Sequence, residues 1–303
     1  MQNVFVTGIT GKSGLYFLDE IAKHDDNDYS FSFLVRSEEK AEQVKAKCPK
    51  AKTVVGDCED LERLKEIFTD DRYDTVVHIA GVHRSLPLVE AAVWGGVQNL
   101  ILVHTTGIYS KYKAAGESYR QTEVEIEKLI EGKDISKTIL RPTMIYGNLR
   151  DGNVSIFMKM VYKLRIFPVV NHAAYELQPV WCGDLGKAYY QVLTHTNTRG
   201  KDYNLSGGRP ILLIDMFKVM AEKLGVKNRY VNVPFGLAYS GAWMLCLCTF
   251  GKKDYREKVQ RLVEPRIFSH EEATRDFGYD PLPFEEGVNG EIEEFLSRER
   301  QTR

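Results

Sequence analysis

The chain has 303 residues, enough for one large domain or for a core domain with a smaller lobe. Its 41 Lys and Arg nearly cancel its 42 Asp and Glu, and no basic stripe or polybasic tail is present, which argues against nucleic acid as a partner. Five cysteines (Cys48, Cys58, Cys182, Cys246, Cys248) have neither metal-ligand spacing nor an even disulfide framework, so no metal, reduced thiols and a cytoplasmic setting are expected. The N-terminus runs directly into a strand-like segment, so no signal peptide is expected.

In chain order, an apolar run at Val4–Thr7 leads straight into glycines 8, 11 and 14 and then a helical pattern at Leu15–Ala22. A buried strand turning sharply into a helix aims backbone N–H groups and a positive dipole end at one point. That point suits a pyrophosphate, and glycine permits its close approach. The spacing is Gly-x-x-Gly-x-x-Gly, and a second strand at Phe31–Val35 supplies the βαβ context. Gly11-Lys12-Ser13 also looks like the end of a P-loop, but the required first glycine would fall at Val6. Further strands are predicted at Thr53–Val55, Thr75–Ile79, Leu100–His104 and Thr138–Leu140. Between them lie helical patterns near Glu38–Lys47, Leu61–Phe68, Pro87–Val93 and Ser118–Ile130. Alternation of this kind, with strands apolar on both faces, predicts an α/β fold with a Rossmann-type doubly wound parallel sheet.

After Gly147 the rhythm breaks. A helix is expected at Asn153–Leu164, and a strand end and helix at Val180–Leu193 with Asp184 as N-cap. A strand at Tyr203–Leu205, a helix at Asp215–Leu224 closed by Gly225, and a terminal helix within Glu286–Leu296 follow. This pattern divides the chain into a dinucleotide-binding core, 1–148 with 177–206 returning to it, and a small C-terminal substrate lobe, 149–176 and 207–303. The segment 235–251 (FGLAYSGAWMLCLCTFG) carries no charge but falls short of the roughly 20 residues that span a bilayer. A core helix is its first reading, an apolar-substrate or homodimer surface the second, and membrane contact the last.

Cofactor choice is read after the second strand, where a carboxylate would bond the ribose 2′-hydroxyl. Leu34-Val35-Arg36-Ser37 offers a guanidinium instead, which favours NADP(H) over NAD(H), with Lys12 and Lys40 near enough in pattern to assist. Gly56-Asp57-Cys58 and Ile79-Ala80-Gly81 end the third and fourth strands, where ligands lie in such sheets. Asp57 is placed either to accept from the adenine amino group or to cap the helix ahead of Leu61; His83 and Arg84 follow in the loop facing the nicotinamide. His83 and Arg84 are candidate substrate contacts, whereas Gly8, Thr10, Gly11, Lys12, Ser13, Gly14, Arg36, Asp57, Cys58, Ala80 and Gly81 belong to the candidate cofactor set.

Thr7-Gly-Ile-Thr-Gly-Lys-Ser-Gly14, Gly56-Asp57, Val77-His-Ile-Ala-Gly81, Leu140-Arg-Pro-Thr-Met-Ile-Tyr-Gly147, Gln178-Pro-Val-Trp-Cys-Gly-Asp184 and Phe277-Gly-Tyr-Asp-Pro281 occur in this order. On these motifs the chain resembles an extended or atypical short-chain dehydrogenase/reductase of the NAD-dependent epimerase/dehydratase group, over nearly its whole length. The resemblance implies a Ser or Thr after the fifth strand, then Tyr-x-x-x-Lys on the next helix, the Lys binding the nicotinamide ribose and activating the Tyr. Thr105 takes the hydroxyl position and Tyr119 the tyrosine position, but the lysine is Glu123. A carboxylate one turn from a phenol works against its ionisation, each pKa unit being worth about 1.4 kcal/mol. Tyr109-Ser-Lys-Tyr-Lys113 fits the same spacing but directly follows the strand, where the family has a structural Tyr; a swinging Lys111 or Lys113 is a further rescue. Pro142 and Thr143 lie on the loop that passes the nicotinamide in the family, with Thr143 at the carboxamide, while Tyr175 and Trp181 are candidates for an apolar pocket.

The implied function is an NADP(H)-dependent oxidoreductase acting on a carbonyl or alcohol, with Thr105 and Tyr119 polarising its oxygen beside an altered Tyr-x-x-x-Glu site. The substrate is a small molecule, either apolar or a sugar nucleotide. The alternatives are a non-catalytic NAD(P)-binding regulatory or scaffold protein and a nucleotide-sugar epimerase or dehydratase.

Overall fold

Six strands alternating with five helices build the centre of the computed structural model, which describes residues 1–24, 28–112, 116–250 and 252–302. The strands are β1 (Gln2–Thr7), β2 (Tyr29–Val35), β3 (Lys52–Val55), β4 (Thr75–His78), β5 (Asn99–Val103) and β6 (Ser136–Pro142). A late strand, Asp202–Leu205, pairs with β6, giving a seven-stranded parallel sheet of order Asp202–Leu205, β6, β5, β4, β1, β2, β3. The sheet is buried on both faces because successive side chains point to opposite sides. Val4, Val6, Val77, Ile101 and Val103 enter one hydrophobic cluster, while Phe5, Val76, Leu100 and Leu102 enter the other. Helices α1 (Gly14–Lys23) and α2 (Glu38–Lys47) cover the first face, and α3 (Leu61–Asp70), α4 (Ser85–Trp94) and α5 (Gly116–Ile130) the second. Strand order reverses between β1 and β4, so a crevice opens beyond their carboxyl ends.

Downstream lie α6 (Val154–Lys163), α7 (Cys182–Thr194), α8 (Leu213–Lys223), α9 (Phe235–Cys248) and α10 (Arg256–Leu262). Helix α7 packs with α1 on the first face. Helices α6, α8 and the C-terminal helix Asn289–Thr302 enclose a third cluster around Tyr146, Phe167, Phe217 and Phe284. Two expectations need correction. Helix α7 begins at Cys182 with Trp181 in the N-cap position, and Asp184 lies inside the first turn, where its buried carboxylate accepts the Leu282 N–H at 2.9 Å. Nor is α9 a core helix: Ala242 alone of its residues is buried, and Leu237 is 67% exposed. An apolar sequence is buried only where the fold offers a surface to receive it, and α9 packs chiefly against the short α10. Among the described residues no helix is long and apolar enough to cross a membrane.

The C-terminal helix is pinned by a buried carboxyl. Glu291 Oε2 accepts the Gly147 N–H at 2.9 Å, while its Oε1 and Asp151 Oδ2 have no other partner. Burial, and then the neighbouring Asp151 charge, push the Glu291 carboxyl up to about 9. At neutral pH its proton therefore supplies the donor that this carboxyl pair needs. Asp151 in turn accepts the backbone N–H groups of Asn153 and Ser155, fixing the start of α6.

A carboxyl whose folded pKa lies above its unfolded value contributes stability that is complete below about pH 4.5 and declines as pH rises toward 9. Glu291→Gln keeps a neutral donor and acceptor and removes this decline. Between pH 6 and 9 the wild type should lose more melting temperature than the variant, by roughly 5 °C or more in calorimetry. Parallel curves would refute the assignment.

Candidate active site

The crevice holds a cavity of about 510 Å³. Gly8, Thr10, Gly11, Lys12 and Ser13 line it from the β1–α1 turn, Arg36 from the end of β2, Asp57 and Cys58 from the end of β3, and Ala80 from the end of β4. Gly8 has φ +81°, and a Cβ there would lie 2.7 Å from the Ala80 nitrogen; a Cβ on Gly14 would lie 2.2 Å from the Gly8 carbonyl oxygen. The turn and the β4 loop are thus in backbone contact, which only glycine tolerates. Gly14 lies behind the turn and Gly81 just past Ala80, outside the cavity lining.

Local capping explains why the polar groups face inward. Ser37 accepts the Lys40 N–H to cap α2, and Asp60, not Asp57, accepts the Arg63 N–H to cap α3. Arg36 and Asp57 line the cavity, Asp57 while its Oδ1 accepts the Glu59 N–H at 3.0 Å, and Lys12, Arg36, Lys40 and Arg84 stand against Asp57 as the one acidic residue among the described lining residues. His78 ties the floor together. Its ring contacts the Thr7 hydroxyl at 2.6 Å and the Gly81 carbonyl at 3.0 Å, and burial pushes it down to about 4. It is therefore neutral, with Nε2–H donating to Gly81 and Nδ1 accepting from Thr7.

A second cavity, about 710 Å³, shares Lys12 and Ile145 with the first. The loop after β5, the segment Thr143–Ile145 and residues 261–268 form its walls. Thr105 lies on this wall, where its Oγ1 accepts the Gly107 N–H at 3.0 Å and keeps its own proton to donate. Thr143 is also on the wall, its hydroxyl donating to the Gln178 carbonyl. Pro142 stands just behind, its carbonyl accepting from Thr106. Tyr109 and Lys111 line the cavity, and Glu264 closes across it by accepting from the Ser110 hydroxyl at 2.7 Å and the Lys111 N–H at 3.0 Å. Lys12 bridges the two cavities by donating to the Asp151 carbonyl at 2.9 Å.

Sequence reasoning did not find Arg261 and Arg266. Both line the second cavity, and the Nε of each is buried without a hydrogen-bond partner. Burial, then the Arg261 charge, push Arg266 down to about 10. No motif surrounds them; only the basic run after position 251 could have drawn attention to them.

Tyr119 and Glu123 line neither cavity. Tyr119 is buried with Val82 and Ile108, its ring 4.8 Å from that of His83. Glu123 is bonded to His104 Nδ1 at 2.8 Å and to Arg141 at 2.7 Å, and Arg141 also meets Asp202 at 2.9 Å. Burial opposes the Glu123 charge, but these two bonds hold its carboxyl at about 2. Burial keeps His104 neutral, so Nδ1–H donates to Glu123 and Nε2 accepts from Ser85 Oγ at 3.1 Å. The set Ser85–His104–Glu123 has the connectivity of a hydrolytic triad, yet Ser85 is fully buried and neither of the two cavities reaches any of the three. It is a structural relay joining α4, β5 and α5 to β6. Lys113 lies outside the described residues.

This chain belongs to the NAD(P)H-binding family. The family's model matches residues 8–159, which contain the whole β1–α1 turn and the ends of β2, β3 and β4. A ketoreductase of Stigmatella aurantiaca, 4-hydroxy-2-methyl-3-oxo-4-farnesyl-3,4-dihydroquinoline-1-oxide ketoreductase, is 23% identical over 92% of each chain. The chloroplast stem-loop binding protein of 41 kDa b of Arabidopsis thaliana is 25% identical over 56% of this chain, and the match spans only 48% of that protein. The UDP-glucose 4-epimerase of Thermotoga maritima, solved with UDP-glucose, superimposes over 98% of this chain and 99% of its own, with a TM-score of 0.73 at 21% identity. Family, fold and motif order together make the chain an extended short-chain dehydrogenase/reductase of the epimerase/dehydratase-like group.

Restoring the family lysine by Glu123→Lys would set a second cation against Arg141, take the acceptor from the Nδ1–H of neutral His104, and leave Arg141 with Asp202 as its carboxylate. The expected outcome is a loss of about 3–5 kcal/mol in denaturant unfolding, with Glu123→Gln milder. A fully stable lysine variant would show that the relay is not what holds these elements.

Proposed function

We propose that the protein is an NADP(H)-dependent oxidoreductase for a small carbonyl or alcohol that carries an anionic group. The observation that carries this reading is the junction of the two cavities at Lys12 and Ile145, which lets a dinucleotide in the first present its nicotinamide to a substrate in the second. Residues 1–148 and 177–206 would hold the cofactor, and 149–176 with 207–303 would form the substrate lobe. Four cations against one carboxylate favour the extra phosphate of NADP(H), with Arg36 at the 2′ position. When bound, the dinucleotide supplies the hydride. Thr105 donates a hydrogen bond to the substrate oxygen. Tyr109 and Tyr112 are the tyrosines on the cavity wall, Tyr109 being the one whose ring meets the Arg141 guanidinium at 5.9 Å, while Tyr119 supports that wall through His83 and Ile108. Glu123 acts as a positioning residue by holding Arg141 and His104. Arg261 and Arg266 await an anion such as a carboxylate or the diphosphate of a nucleotide sugar.

The enclosure of Tyr119 and the ion-paired Glu123 favour a second reading, a regulatory protein that holds the dinucleotide without turnover. Oxidation of NADPH by a panel of anionic carbonyl compounds decides between them; no oxidation with any compound, despite cofactor binding, selects the second.

NADPH should raise the melting temperature more than NADH at equal concentration, and Arg36→Ala should erase the difference. Equal shifts in the wild type would remove the argument from Arg36. In turnover assays Tyr109→Phe and Thr105→Val should each lower kcat about 100-fold, and Tyr119→Phe far less. The reverse order would return the proton-donor role to Tyr119. Arg266→Met should raise KM for anionic substrates with little change in kcat.

A further inference from the structure

Helix α9 presents an apolar surface that one flat partner does not cover. Its exposed residues, among them Leu237, Trp243, Met244, Leu245 and Leu247, sweep roughly 200° of the circumference at 3.6 residues per turn, and the Ser240 hydroxyl and Trp243 indole N–H are the hydrogen-bonding groups other than cysteine in that arc. A helix that packs against another protein needs a stripe of about half that width. Beyond its end, Phe250 is 94% exposed and Tyr255 is 41% exposed. Aromatic side chains flanking an apolar element suit the boundary between headgroups and hydrocarbon.

The charge around this surface is one-sided. In the sequence flanking it, between residues 226 and 260, there are six Lys and Arg and two Asp and Glu, in a chain whose net charge is −1. Lys252 and Lys253 are exposed directly past the helix, and Lys258 stacks on Tyr255 at 4.9 Å. A second copy of this chain would bring the same basic rim against itself, whereas an anionic surface complements it.

We propose that α9, with the basic residues that follow it, seats the protein on the surface of an anionic lipid bilayer, the helix lying in the interface without crossing it. At 14 residues it is too short to span but long enough to lie in the headgroup plane. This surface does not depend on the oxidoreductase reading. The same chain segment continues into residues 261–268 of the second cavity wall, so seating would place that cavity near the lipid.

The test is flotation of the full chain with vesicles of phosphatidylcholine alone or with one-third phosphatidylglycerol. Binding is expected to the anionic vesicles, to weaken with added salt, and to be much lower on phosphatidylcholine alone. Lys252→Glu with Lys253→Glu should reduce it about tenfold or more. Replacing Leu237, Met244 and Leu247 by Ser should abolish it while leaving the NADPH-induced melting shift unchanged, which shows the variant is folded. No binding to either vesicle, equal binding to both, or a dimer in light scattering that the Ser variant dissolves while vesicles go unbound would each overturn the proposal.

Discussion

Arg141 enters the carboxyl edge of the sheet as a buried cation, and the architecture around the candidate site follows from neutralising it. A guanidinium stripped of water is tolerated only with carboxylates at bonding distance. Glu123 supplies one from α5 and Asp202 another from the edge strand, so a helix and two strands are tied to the same charge. His104 uses the second Glu123 oxygen and passes the register on to Ser85 at the start of α4. The replacement of the family's lysine thus has a physical consequence beyond a missing proton relay. A carboxylate at position 123 suits this buried arginine, and a cation there would not.

The second constraint is the contact between the β1–α1 turn and the β4 loop. Gly8 and Ala80 touch backbone to backbone, and neutral His78 holds both strand ends from below. From this floor the two cavities diverge, and Lys12 reaches from one to the other by bonding the Asp151 carbonyl. Asp151 faces the protonated Glu291 carboxyl, so the C-terminal helix is connected to the β1–α1 turn through three residues, Glu291, Asp151 and Lys12. The far end of the chain is in this way part of the wall that a substrate would meet.

The alternating half of the chain was legible because its strands are apolar on both faces and its turns are glycine-rich, two signals that are local. The same locality is why the β1–α1 turn, Arg36 and Asp57, which line one cavity, stand out in the sequence. What lay hidden was set by tertiary contact. The spacing of Tyr119 and Glu123 matches a catalytic helix, but only the packing of His83 and the reach of Arg141 show where those side chains go. Asp184 has the composition of an N-cap, yet the helix starts earlier because Trp181 and Cys182 are drawn into the core. Arg261 and Arg266 belong to no motif and gain meaning only from the cavity they enter.

Helix α9 marks the opposite limit. Its sequence reads as core, because composition reports how strongly a segment avoids water and says nothing about what will cover it. The fold already closes three hydrophobic clusters without it. An apolar helix left outside a completed core either costs the free chain solubility or has a surface of its own to meet. The basic residues gathered behind it argue for the second, since clustered positive charge of one sign complements an anionic layer.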